Sequence, residues 1–308
     1  MALLHHWITV AGHSILNTHE LDHYWHSVIP LIGFKYRYVI HSILSLSALH
    51  IAYTSSNNRV HSLAAATEHR SRALDGFAVD LENVGPDNSC ALFANATLTF
   101  FYAFISFSRT FDLECIDSKA RTSRVLGSEW IPLVRGTAAV LEPVYDHVRR
   151  GPLRSFLDLH NYMDLDPNSE VHISAFNDQC IIIQSLWDGD ENAELYNETL
   201  YILRKCSAYM AQFDSSHDEV NVFDGYNRFY SGPFIWLFSV SEKYLVLQQQ
   251  RQPHALIIFA YYGALLHSLN NYWWAEGCGQ SIVNTVDGCL GPYWSSWIDW
   301  PKQAVGLP

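Results

Sequence analysis

The side chains that could do chemistry in this chain are histidines, tyrosines and tryptophans, together with two glycines around one cysteine. His19-Glu20-Leu21-Asp22-His23 has H-E-x-x-H spacing, which on a helix sets two imidazoles on one face for zinc and leaves the glutamate as a general base. A metalloprotease needs a third protein ligand and an apolar helix around the motif. Here polar residues precede it and Pro30 follows soon after. In a chain with 16 histidines the match reads as a structural or surface segment, so no metal is expected.

G-x-S-x-G, G-x-G-x-x-G, G-x-x-x-x-G-K and C-x-x-C are all absent, so hydrolase elbows, nucleotide loops and redox pairs have no local support. No cofactor is expected. Gly277-Cys278-Gly279 lacks a third glycine and reads as a tight turn after a helix. The cysteines, Cys90, Cys115, Cys180, Cys206, Cys278 and Cys289, are scattered and suit reduced core thiols. Asn95-Ala-Thr97 and Asn197-Glu-Thr199 match the glycosylation sequon, which means little without a secretion signal. His41, His50, His254 and His267 lie on or beside apolar segments and read as hydrogen-bonded core residues. Tyr261, Tyr262, Trp273 and Trp274 read as packing whose hydroxyl and indole groups need partners when buried. A pocket would supply them.

These residues need elements to position them, and the central one is Pro253 to Gln280. Proline suits the first position of a helix. From Ala255 to Leu266 no side chain is charged, as in a helix buried all round. His267, Ser268, Asn270 and Asn271 break the run before the roughly 20 apolar residues a bilayer span requires. Gly277 and Gly279 suit a helix stop.

Elsewhere Leu3, Leu4, Trp7, Ile8, Ala11 and Ile15 recur at helical spacing, and Asn17 to His26 is a polar, His-rich connection. Tyr38 to Tyr53 and Cys90 to Phe107 are long enough for buried helices, and Asn57 to Leu81 for a covering one. Phe111 to Gly127 contains a loop, and a helix restarts at Trp130 and ends at Gly151-Pro152. Residues 153–179 form a polar loop. Helical periodicity resumes over Cys180 to Phe213 and Phe234 to Leu247. Trp294, Trp297 and Trp300 form one face of a short helix stopped by Pro301. The expectation is all-α, a single large helical domain over residues 1–308, with buried central helices enclosing an apolar pocket.

Composition agrees, with 49% hydrophobic and only 16% charged residues over 308 positions, ample for a deep core. A formal charge of −12 has the wrong sign for direct nucleic-acid binding. The amino terminus lacks the basic start of a secretory signal, which points to an intracellular protein.

The blocks LLHHW, SILSLSALHIAY, EHRSRAL, WIPLVRGTAAVLEPV, RQPHALIIFAYYGALLH, WWAEGCGQ and WIDWPKQAVGL share their order and spacing with one family. In these the chain resembles, nearly end to end, the C-terminal regulatory domain of fungal zinc-cluster transcription factors of the sterol uptake control type. The resemblance implies an all-helical domain, often a homodimer, enclosing a cavity for an apolar small molecule, built largely from Phe234 to Gly279. Ligand contacts then fall on Phe104, Trp236, Tyr261, Tyr262, His267, Trp273, Trp274 and Cys278. The family's aromatic between the two glycines is here Cys278, which implies a pocket mouth of different shape. No zinc-cluster module is present in the sequence, so the chain is not expected to read DNA alone. The use favoured by that absence is a cofactor-independent cyclase or isomerase acting on a terpenoid-like substrate, with His267 and Tyr262 as catalytic candidates. The alternatives are a ligand-sensing regulator acting through a partner and an apolar-ligand carrier.

Overall fold

Apolar runs too long for strands become helices along the chain. The computed structural model describes residues 1–16, 22–107, 117–157, 159–169, 174–213 and 230–308, and among these residues there is no strand. The all-α expectation holds. Contacts group the residues into two compact units: Met1–Ser106 with Pro132–Asp158 and Tyr272–Trp274, and Phe107–Ile131 with Leu159–Asn271 and Ala275–Pro308.

In the first unit the helix Arg37–Thr54 (α1) pairs with Arg59–Leu81 (α2). The covering helix α2 buries only Ser62, Ala66 and Ala73, small side chains that let the two backbones approach. Ser45 on α1 uses that closeness, donating its hydroxyl to the Ala66 carbonyl at 2.9 Å. The helix Ser89–Phe107 (α3) is long and apolar enough to cross a bilayer, yet 72% of that window is buried inside the protein, as in a core helix. Trp25 meets Phe101 edge-on at 5.3 Å, and Trp7 donates its indole N–H to the Trp25 carbonyl at 2.7 Å. The Trp7 indole thereby stays hydrogen-bonded while its ring fills the core.

The second unit carries Ala175–Ile183 (α4), Ala193–Ala211 (α5), Gly232–Ser239 (α6), Glu242–Gln249 (α7), Pro253–His267 (α8) and Cys278–Leu290 (α9). α8 begins at its proline, as expected, and every residue from Ala255 to Gly263 is buried. A helix apolar on every side has no face to offer water. It packs against α9 where two glycines meet: a Cβ on Gly279 would strike the Gly263 carbonyl and come within 2.8 Å of His267.

Several expectations are corrected. Gly277 and Gly279 do not stop a helix. Gly277, at φ +74, precedes α9, and Gly279 lies inside that helix, because the left-handed turn that closes one helix can also launch the next. The Gly277 N–H is held by the Asn270 side chain at 2.8 Å. Pro301 does not terminate the tryptophan segment; it sits in the first turn of Asp299–Ala304, where its missing N–H costs no hydrogen bond. The polar connection is helical from its described residue Asp22 onward, through Tyr24–Val28 into Ile29–Lys35.

The loop expected at 153–179 is shorter than that. It contains the turns Arg154–Leu157 and His160–Tyr162, buries Leu153, Tyr162 and Leu165, and yields to α4. The Ser174 hydroxyl caps α4 by accepting the Asn177 N–H at 3.1 Å. Cys180 to Phe213 is not one helix, since the turn Gln184–Trp187 and Gly189 at φ +83 separate α4 from α5. Ser118–Val125 is helical inside the stretch expected to hold a loop. The helix expected from Trp130 to Arg150 is broken by the turn Glu142–Val144, which contains Pro143.

Candidate functional site

Within the second unit, the expected ligand residues gather on α6, α8 and the start of α9. Tyr262 stacks on Trp236 with ring centroids 4.4 Å apart and planes at 20°. Phe259, one turn earlier, stacks on Tyr262 at 5.5 Å, as residues three apart on a helix share a face. The indole N–H of Trp236 donates to the Thr199 carbonyl at 3.2 Å, so Trp236 is fully partnered. Tyr262 is not. Its hydroxyl is completely enclosed and has no hydrogen-bond partner among the described residues.

Burial raises the Tyr262 pKa well above its ordinary value, and the nearby Cys278 and Cys206 thiols add to the effect. Burial pushes the Cys278 thiol up as well and Cys206 to about 12. None of these groups is ionised at neutral pH. Half-buried His267 ends α8 with an enclosed Nδ1 that also lacks a partner, and burial lowers its pKa. An unpaired polar atom in an apolar interior costs about 1–3 kcal/mol, so three of them on one helix, with His254 Nε2 in its first turn, need a reason.

Tyr261 takes another direction, as neighbours on a helix must. It stacks on Trp300 at 5.8 Å and meets Phe176 at 6.3 Å. The tyrosine pair expected to act together therefore serves two separate packing groups.

Phe104, Trp273 and Trp274 belong to the first unit, on α3 and the segment Tyr272–Trp274. Trp274 donates its indole to the Ile15 carbonyl at 2.6 Å and packs on Phe104 at 6.0 Å. Trp273 meets His50 edge-on at 4.9 Å, and its enclosed Nε1 has no partner among the described residues. His50 in turn lies 2.9 Å from His6 Nε2; burial, aided by His6, lowers its pKa to about 4.

His19, Glu20 and Leu21 lie outside the described residues, so the H-E-x-x-H reading does as well. Asp22 pairs with His13 at 3.0 Å. Among the described residues no group of three or more His, Cys, Asp or Glu is placed to hold a metal ion. Both sequons are structural. Asn95 is fully buried and accepts the Ser42 hydroxyl at 2.6 Å; Asn197 accepts from Trp187 and Gln184 at 2.7 and 3.2 Å.

Sequence reasoning missed three features: the Gly263–Gly279 crossing, Cys206 beside Tyr262, and Arg204, a cation on the buried side of α5. Only the last left a signal, since Arg204 falls one turn after Leu200 among apolar positions.

No family model matches the chain. Individual relatives do. A Zn(2)-C6 fungal-type transcription factor of Gibberella zeae is 26% identical over 321 residues, covering 100% of this chain and 62% of the relative. Sterol uptake control protein 2 of Saccharomyces cerevisiae is 25% identical, covering 94% of this chain and 30% of the relative. The protein of that name in Candida albicans is 23% identical, covering 94% and 40%. The chain thus spans less than two thirds of the length of each of these relatives. Along its own length, the chain is a homologue of fungal Zn(2)-C6 transcription factors and sterol uptake control proteins.

Proposed function

We propose that this chain is a ligand-sensing regulatory domain that holds an apolar, polycyclic, terpenoid- or sterol-like molecule against Tyr262 and His267, with Cys278 at the edge of the site. The observation that carries this reading is the enclosed Tyr262 hydroxyl without a partner, in a chain whose homologues are named as regulators. A ligand carrying one hydroxyl or carbonyl on an apolar frame would satisfy that atom while keeping the surroundings dry, which is how such pockets achieve orientation. Because Tyr262 is fully enclosed, entry requires the rings of Trp236 or Phe259 to move. Association is therefore slower than diffusion allows.

This reading displaces the cyclase or isomerase. Burial weakens Tyr262 as an acid and His267 as a base, which suits hydrogen bonding better than proton transfer. A regulator of this kind works inside the cell through a DNA-binding module or partner, and the homodimer implied by the resemblance belongs to the same reading.

The test is incubation of the purified chain with ergosterol and with a terpenoid extract, followed by mass spectrometry of what co-purifies. Bound, chemically unchanged ligand is the expected outcome. An isomeric product formed at the rate of enzyme turnover would restore the isomerase.

A further inference from the structure

One buried positive charge in the second unit has no carboxylate paired with it among the described residues. Asn197, Leu200, Tyr201 and Arg204 fall on one face of α5, as residues three and four apart do, and with Gln184, Glu194 and Glu198 they line a groove of about 340 Å³. That is within the range of small-molecule sites.

Arg204 is only 8% exposed. Its Nε–H donates to the Asn177 side-chain oxygen at 2.7 Å and one terminal N–H to that of Asn168 at 2.8 Å. Both acceptors are neutral amides, and among the described residues Arg204 makes no ion pair with a carboxylate. A guanidinium has five N–H donors, so the remaining ones have no partner among those residues. The remaining terminal nitrogen is not among the enclosed unpaired atoms, so it opens onto the groove, where an anion can reach it. The two asparagines meanwhile hold the guanidinium plane in place, and a fixed planar fork fits the two oxygens of a carboxylate.

The rest of the groove narrows the choice of anion. Leu200 supplies an apolar floor and Tyr201, 39% exposed, an aromatic wall. At the other end Asn197 accepts hydrogen bonds from Gln184 and Trp187, which fixes the turn after α4 against α5. Glu194 lies ten positions before Arg204, about 15 Å along the helix, and with Glu198 disfavours a multiply charged ligand.

We propose that this groove binds a small aromatic monocarboxylate, with its carboxylate paired to Arg204 and its ring beside Leu200 and Tyr201. The site uses none of the residues assigned to the apolar ligand, so either can fail without the other.

The experiment is thermal unfolding and calorimetric titration of the full chain with benzoate, with benzamide as the uncharged analogue and inorganic phosphate at matched ionic strength as the anion control. Benzoate is expected to bind saturably and raise the melting temperature, and benzamide to bind at least tenfold more weakly. Arg204→Met deprives Asn177 and Asn168 of their donor and is expected, whatever its own melting temperature, to lose the benzoate-dependent rise. Should that variant fail to fold, the benzoate-to-benzamide ratio on wild-type protein decides alone. Equal binding of benzoate and benzamide, survival of the benzoate response in Arg204→Met, or an equal response to phosphate would each overturn the proposal.

Discussion

Two helix pairs, one in each unit, solve the same packing problem with different residues. α1 and α2 approach through alanine and serine, and their contact includes hydrogen bonds. Ser45 reaches the Ala66 carbonyl, and His41 and His69 lie with ring nitrogens 3.0 Å apart. α8 and α9 approach through Gly263 and Gly279, and the Tyr262 hydroxyl and His267 Nδ1 on α8 stay unpaired. The first pair directs these polar atoms to each other. On the first pair the Tyr38 hydroxyl is likewise enclosed without a partner, and on α8 His254 Nε2 joins the two, so the contrast is one of degree; it supports the proposal that α8 is the binding element.

The largest effect should come from closing the glycine contact. Gly279→Ala sets a methyl group against the Gly263 carbonyl and the His267 backbone, neither of which is a flexible side-chain end. We expect a loss of about 3 kcal/mol or more in urea unfolding. Gly288, on the same helix with no atom within 4 Å of where a Cβ would stand, is the control: Gly288→Ala should gain about 0.5–1 kcal/mol from helix propensity. A similar loss at both positions would show that the crossing is not the cause.

Acid should act next on both pairs, through His267 on α8 and, on the first pair, through three histidines. His50, His41 and His69 all have folded-state pKa values lowered by burial, His50 to about 4. The unfolded chain then takes up protons first as pH falls below about 6.5, and stability drops with falling pH until the folded pKa is reached. Between pH 6.5 and about 4, His50 alone should account for on the order of 1–3 kcal/mol. His50→Gln should flatten that part of the profile measured by chemical denaturation. An unchanged profile would remove His50 from the account.

At the small end the two pairs should differ in sign. Ser45→Ala breaks a buried hydrogen bond and should cost about 1 kcal/mol. Tyr262→Phe removes an unpaired hydroxyl and should stabilise the ligand-free chain by up to about 1 kcal/mol.

How far the sequence carried depends on which force decided each element. The helix at Pro253 was legible because proline, an uncharged run and its length all agree, and α1 and α3 followed the same logic. The break between α4 and α5 was not. Gln184–Trp187 is mixed enough to continue a helix, and the chain turns through Gly189 at φ +83 while Trp187 donates forward to Asn197 on α5. Gly279 carried two compatible meanings, helix stop and close crossing, and only its neighbour Gly263 decides between them.

The site divided in the same way. Tyr262, Trp236 and Cys278 were expected as ligand contacts from the family resemblance and do lie together. Tyr261 and Trp274 were named on the same grounds and are occupied by Trp300 and Ile15. Composition identifies side chains that want a partner, and tertiary contacts decide which still lack one.

The central claim is that the Tyr262 hydroxyl is held for a ligand. The most direct measurement compares Tyr262→Phe with wild type in ergosterol binding and in ligand-free melting. The account predicts a variant that melts no lower than wild type yet binds at least tenfold more weakly, the loss of one buried hydrogen bond. A variant that melts lower and binds ergosterol as well as wild type does would contradict it.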